Sequence, residues 1–350
     1  MSDSRTYPKE RLRVFSRDRF PIAEFRATAE RSLALGDESR LQFTYPTRKT
    51  EIANDTVLRF GNWILVESDT LPPWVGVIDT PRSFESRTVT VSAYSPEHVL
   101  GQRRGPVEQV FNTSPGGIFE SIIQFVNRAE PTPLVIGNVY RGGKPMQETI
   151  NPTPLSDDLR RIWERSGEDY AWRPTVENGL LTVYADWHER LGSDFDILLH
   201  EGKGGGNIEA QNRMLVEDGD IYNDILAYGD GMTWPGKPMS TVQDQESIGK
   251  YGLRQTARNW SGVNTVQGLT DNAEEEISNS KNASRTFAVT ALNVGETFKY
   301  IGLGNTMILQ LQNIGFQNGG LGYVGRVRIV GMNYDPEQKN RINLVVEEVL

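Results

Sequence analysis

The sequence predicts an α+β protein that is mainly β: two small antiparallel β-barrel domains, tube-like, with an α+β domain inserted between them. Three observations carry this prediction. Short apolar runs of strand length, separated by turn residues, recur over residues 40–93 and again over 286–349. Between them, two stretches place apolar residues at helical spacing. A polar junction at Ser240–Leu269 then separates the mixed region from the last strands. A chain of 350 residues is too long for one ordinary core. The expected division is an N-terminal arm (1–35), a first β-barrel domain (36–111), an α+β domain (112–201), strands and a connecting segment (202–262), and a helix leading into a second, C-terminal β-barrel domain (263–350).

Residues 1–20 are polar and charged and read as an arm, followed by a short helix over Glu24–Leu35 that ends at Gly36. Strands are expected at Arg40–Tyr45, Thr56–Phe60, Trp63–Val66, Trp74–Asp79 and Thr88–Ala93. Ser95 and Pro96 mark a helix start, as do Ser114 and Pro115. Behind the second start, Ile118, Phe119, Ile122, Ile123 and Val126 form an apolar stripe, which is far more often a core face than a ligand groove. Ser156 is expected to cap a helix that holds Leu159, Ile162 and Trp163 and stops at Gly167. Asn178-Gly179, between two apolar runs, signals a hairpin. Gly202–Asn207 reads as a flexible boundary. The junction is expected to run into an amphipathic helix, with helical character over Val266–Ala283. Four strands, Thr286–Leu292, Thr306–Leu311, Tyr323–Met332 and Arg341–Val349, finish the chain, with turns at Gly319-Gly320 and Asp335-Pro336.

The net charge of −9 argues against duplex DNA or RNA as a main ligand, because phosphate binding needs a basic surface. Arg5, Lys9, Arg11, Arg13, Arg17 and Arg19 make the N-terminal segment locally basic, but Glu10 and Asp18 interrupt it. There is no cysteine, which excludes disulfides and thiolate chemistry. No stretch approaches 18 apolar residues, so no membrane span is expected, and the start does not resemble a signal peptide. Synthesis in a cytoplasm follows as an expectation.

Motifs for chemistry are weak. Gly231–Lys237 has the spacing of a phosphate-binding loop, yet Pro238 stands where Ser or Thr would ligate magnesium. His98, His188 and His200 lie far apart and form no metal-ligand pair, so no metal and no cofactor are expected. Glu274, Glu275 and Glu276 are consecutive and point in different directions on a helix, which suits a solvated face. Asp194 and Asp196 would share one face of a strand, the only carboxylate pair worth weighing for hydrolysis of cell wall. Trp172 and Trp187 are the candidates for stacking on sugar, whereas Trp63 and Trp74 lie within strand patterns and are expected to be buried. No catalytic residue is assigned.

Three segments together resemble a known group. The first is Trp74–Asp79, followed by Arg87–Ser92 and a short helix ending at Leu100–Arg103. The second is Ser247–Arg254, with the pattern S-x-x-x-Y-G-x-R. The third is a helix after that motif, leading to the strand Arg341–Val349. In this order they resemble the tail hub proteins of tailed phages and contractile injection systems, the baseplate hub and Gp37-like siphophage tail protein group. The likeness runs from about Arg40 onward, with Asn305 where such hubs often carry Asp. It implies a non-enzymatic structural virion protein: a homotrimer at the tail tip, with two barrels per subunit, joining a sixfold tail tube or distal tail ring to a threefold tip. Implied partners are the ring above, the C-terminus of the tape-measure protein and a tip or fibre protein, with DNA passing through an acidic channel without specific binding. Ser247, Tyr251, Gly252 and Arg254 are the candidate subunit-interface and turn residues, with Tyr251-Gly252 at a tight turn. A tail-tip carbohydrate-binding module and a cell-wall hydrolase are the alternatives.

Overall fold

The computed structural model describes residues 10–68, 71–202, 206–211, 213–218, 221–229, 236–260, 263–317, 320–335, 338 and 340–349. The chain forms two compact units, Met1–Met214 with Phe287–Leu350, and Leu215–Thr286. Boundaries expected at 201/202 and 262/263 do not coincide with these. Residues 231–235 of the phosphate-loop lookalike Gly231–Lys237, half of the Gly202–Asn207 boundary (203–205), and parts of the turns at 319 and 336 lie outside the described residues.

The larger unit opens with seven antiparallel strands: β1 (Glu10–Phe15), β2 (Pro21–Ala27), β3 (Ala29–Ala34), β4 (Arg40–Pro46), β5 (Trp63–Glu67), β6 (Trp74–Phe84) and β7 (Thr88–Tyr94). They pair in the order β2-β1-β5-β6-β7-β4-β3. Alternation points Leu12, Val14, Phe43, Ile64, Ile78 and Val91 into one core. The sheet curls around that core, so the ring of Phe25 on β2 lies 5.7 Å from Phe43 and 4.9 Å from Tyr45 on β4.

Residues 10–34 therefore correct the expected arm and helix. The period-2 burial of Glu10–Phe15 is visible in Leu12 and Val14, but the intervening arginines masked it. Glu24–Leu35 contains good helix formers, yet β3 pairs with a strand from the far end of the chain, and this tertiary pairing overrides local preference. Thr56–Phe60 is likewise not a strand but part of a loop. Val57 and Leu58 are buried there, and side-chain amides replace a sheet ladder: Asn54 donates to the carbonyls of Thr50 and Glu51, and Asn62 to those of Thr56 and Val57.

Helix α1 (Glu97–Gly101) follows, then β8 (Gln109–Thr113), α2 (Pro115–Ala129), β9 (Leu134–Val139), β10 (Met146–Ile150), α3 (Leu155–Ser166), β11 (Asp169–Glu177), β12 (Leu180–His188) and β13 (Asp194–His200). Ser114 caps α2, accepting from the Gly117 amide. Ser95 and Ser156 do not cap: Ser95 accepts from Ser39 N instead, and Ser156 lies inside α3. The α2 stripe is wholly buried against the sheet β11-β12-β9 and against Trp63, Leu65, Val75 and Val77. Strands β5 and β6 thus have a core on each face, which is why Trp63–Val66 and Trp74–Ile78 are apolar without alternation. Asn178 (φ 51) and Gly179 (φ 79) turn β11 into β12 as a type I′ hairpin.

The smaller unit holds most of β14 (Met214–Asp218), then β15 (Asp224–Tyr228), β16 (Met239–Gln243), α4 (Gln245–Tyr251), β17 (Gln255–Asn259) and α5 (Val266–Ser280). β15 is central, antiparallel to β16 and parallel to β17. The helix expected after residue 254 begins only at Val266, because Gln255–Asn259 is drawn into this sheet. Leu269, Ala273 and Ile277 of α5 pack on Ile225 and Ala227.

The larger unit then resumes with most of β18 (Ser284–Leu292), a 3-10 turn at Thr297–Tyr300, β19 (Thr306–Gln317), β20 (Gly320–Tyr334) and β21 (Arg341–Glu348). β18, β21 and β20 lie side by side, and β20 pairs with β3, so the last strands continue the first sheet. β13 joins the edge of β19 in parallel. Among the described residues, no helix is long and apolar enough to cross a membrane.

Candidate functional site

The smaller unit carries the segment that the sequence singled out. Its sheet leaves three connections to be fixed: β16 to α4, α4 to β17, and the end of α5. One buried residue meets the first two directly and the third through Ser247. Asn223, fully buried just before β15, donates from Nδ2 to Gly252 O (2.8 Å) and Ser247 Oγ (3.3 Å). Its Oδ1 accepts from Arg254 N at 2.7 Å. Its backbone N–H donates to Arg254 O (3.0 Å), and its carbonyl accepts from Asp244 N (2.9 Å). A buried amide with all its groups paired fixes geometry strongly, because any displacement leaves polar atoms unsatisfied.

Ser247 is 3% exposed and sits in the first turn of α4. Its Oγ donates to Lys281 O at 2.6 Å, tying α4 to the end of α5. Asp244 caps α4 by accepting from Ser247 N (2.8 Å), and Lys281 Nζ reaches its other oxygen at 3.2 Å. The Ser247 amide, then the Lys281 ammonium, hold the Asp244 carboxyl below its usual range. Gly252 ends the helix at φ 78, ψ 169, a region essentially reserved for glycine. A Cβ there would meet nothing within 4 Å, so the backbone conformation alone demands glycine.

Ser247, Gly252 and Arg254 are therefore brought together around Asn223. Tyr251 is not part of that network: it lies half-buried at the end of α4 with the Lys250 ammonium 4.7 Å from its ring. Leu253 is 57% exposed and the Arg254 side chain points outward with it. Sequence reasoning missed Asn223, which stands 24 residues before Ser247 and belongs to no local motif. On the sheet, Gln243 and Gln255 both donate to Asp224 Oδ2, at 2.9 and 2.7 Å, a cross-strand row that fixes the register of β16 and β17 on β15. These groups form a hydrogen-bonded frame and contain no activated nucleophile.

The residues weighed for other functions fall elsewhere. Trp187 is 1% exposed, hydrogen-bonded to Glu168 and packed on Phe119 and Tyr170, so it offers no face to a sugar. Trp172 belongs to the same aromatic cluster. Asp196 pairs with Arg326 at 2.6 Å on the surface. Asp194 accepts from the Thr306 hydroxyl, which with Arg190 and Arg326 lowers its carboxyl, the wrong direction for a proton donor. No group of three or more His, Asp or Glu among the described residues is placed to hold a metal ion.

No protein-family model matches the chain, and no curated protein matches it in sequence. Its fold does match solved structures. The 43 kDa tail protein of prophage MuSo2 from Shewanella oneidensis is 14% identical, with a TM-score of 0.62 over 97% of this chain and 98% of its own. The prophage tail protein gp18 from Listeria monocytogenes is 12% identical, with a TM-score of 0.63 over 96% and 94%. A tail protein from Neisseria meningitidis is 13% identical, with a TM-score of 0.59 over 97% and 96%. The chain thus shares, from end to end, a fold found in prophage tail proteins.

Proposed function

We propose that this chain is a structural tail protein of a phage or a related injection device, and within that class a tail hub. It forms a homotrimer at the distal end of the tail, joins a sixfold tail tube or distal tail ring to a threefold tip, and lines part of the DNA channel. The observation that carries this reading is the two-way coverage of the fold match: three prophage tail proteins agree with nearly the whole chain, and the chain with nearly the whole of each. The net charge of −9 supports a wall that DNA can pass without being trapped. The ring above, the tape-measure C-terminus and a tip or fibre protein are the partners of this proposal. The exposed Leu253 and Arg254, held out by the Asn223 frame, are its subunit-contact residues. Negative-stain images of the purified protein test it. Ring-shaped particles with threefold symmetry are expected; compact single-subunit particles in every field would oppose it.

A further inference from the structure

We propose that His98 is a proton-operated latch: as an imidazolium it clamps Glu38, in the turn after β3, to Asp79 of β6, and loss of its proton at alkaline pH frees that turn. The inference rests on the two ends of one ring. Nδ1 of His98 is 2.8 Å from Glu38 Oε2, and Nε2 is 2.9 Å from Asp79 Oδ2. Ionised carboxylates only accept hydrogen bonds, and a neutral imidazole has a single N–H. Only the cationic ring satisfies both partners, so the geometry itself selects the charged state.

One neighbour also reaches the ring. On α1, Gln102 Nε2 donates to the same Asp79 oxygen at 2.8 Å and lies 3.1 Å from His98 Nε2, where it can donate to a ring nitrogen that has lost its proton. At the end of β7, Tyr94 stacks on His98 with centroids 4.6 Å apart and planes at 17°, and its hydroxyl donates to Thr80 O. Arg40 of β4 lies 5.9 Å from the Tyr94 ring and donates to Ser92. Asp37, beside Glu38, faces Arg160 of α3 at 3.9 Å. Glu97, the neighbour of His98 on α1, is buried.

The latched turn matters because of what it adjoins. Ala34 pairs with Gly331 of β20, and Leu35 N donates to Val330 O at 2.8 Å. This is the seam where the first and last strands of the larger unit meet. Without the latch, the turn retains Ser39, which accepts from Ala34 N and donates through its backbone to Ser95 Oγ.

The pH window follows from the signs. The hydrogen bond to Glu38, acting against burial and aided by Asp79, raises His98 above the ordinary histidine value. Its contribution is complete below that ordinary value and is lost as pH rises through the raised one. Burial opposes ionisation of Asp79, but hydrogen bonds from His98, Thr80 N and Gln102 outweigh it and hold the carboxyl low. That contribution is lost as pH falls through the lowered value. The latch is closed between the two.

The chain has three histidines, so comparison with His98→Gln identifies the His98 signal in a histidine Cε1–H NMR titration. The expected midpoint lies above the ordinary value of about 6.5, and Glu38→Gln and Asp79→Asn each shift it downward. In parallel, the thermal midpoint of the native protein should fall relative to that of His98→Gln as pH is raised from 6 to 9. A midpoint at or below the ordinary value, no shift in either carboxylate variant, or parallel thermal curves for the two proteins would each overturn the latch. Should His98→Gln fail to fold, the titrations of the two carboxylate variants decide the question alone.

Discussion

Gly252 occupies backbone space that costs other residues about 1–3 kcal/mol, and its carbonyl is fixed by Asn223. A Cβ at position 252 meets no atom within 4 Å, so the penalty of Gly252→Val is expected from its backbone conformation. The smaller unit should lose about that much stability, read as a lower denaturant midpoint. Asn223→Ala should cost about 2–4 kcal/mol, because it orphans the Gly252 carbonyl and the Arg254 amide and takes a donor from Ser247 Oγ. If the two variants were as stable as the native protein, the frame would not be holding the segment. The proposal adds that Gly252→Val impairs trimer assembly, since it displaces Leu253 and Arg254 from their outward position. A variant that stays folded and still assembles would remove this segment from the contact. Glycine at position 252 was legible in the sequence as a turn; Asn223 was not, because its partners lie 24 to 31 residues away and nothing in a linear pattern joins them.

At the level of elements, α2 shows how far local pattern reaches. Its stripe of Ile118, Phe119, Ile122, Ile123 and Val126 and its Ser114 cap were both readable, since spacing and cap chemistry depend only on neighbours in sequence. Phe119 is fully buried among Tyr170, Trp172 and Trp187, so Phe119→Ala should cost about 3–5 kcal/mol in chemical denaturation. A loss below about 1 kcal/mol would mean that the aromatic cluster is not the centre of that core. Asn178-Gly179 was readable for the same local reason. The strands over residues 10–34 were not. Arg11 and Arg13 pair with Glu24 on their solvent face, so charged residues interrupt the few apolar core positions. What makes β3 a strand is its place between β4 and β20, the second of which lies some 300 residues downstream. The buried pair of Arg31 and Glu10 belongs to the same long-range logic: burial penalises the charge on both, and their mutual contact, with Ser68 on Glu10 and the Pro72 carbonyl on Arg31, offsets it.

For the whole molecule, the order of elements from β1 to β21 brings the two ends of the chain into one sheet, and nearly all of that order recurs in prophage tail proteins at 12–14% identity. Such identity leaves the fold as the shared quantity, and the oligomer is the property that turns the fold into a hub. Light scattering coupled to size-exclusion chromatography measures it most directly. A homotrimer has a mass three times that of the 39.3 kDa subunit, held across micromolar dilution, and this is the expected result. A mass equal to one subunit over the whole concentration range would contradict it.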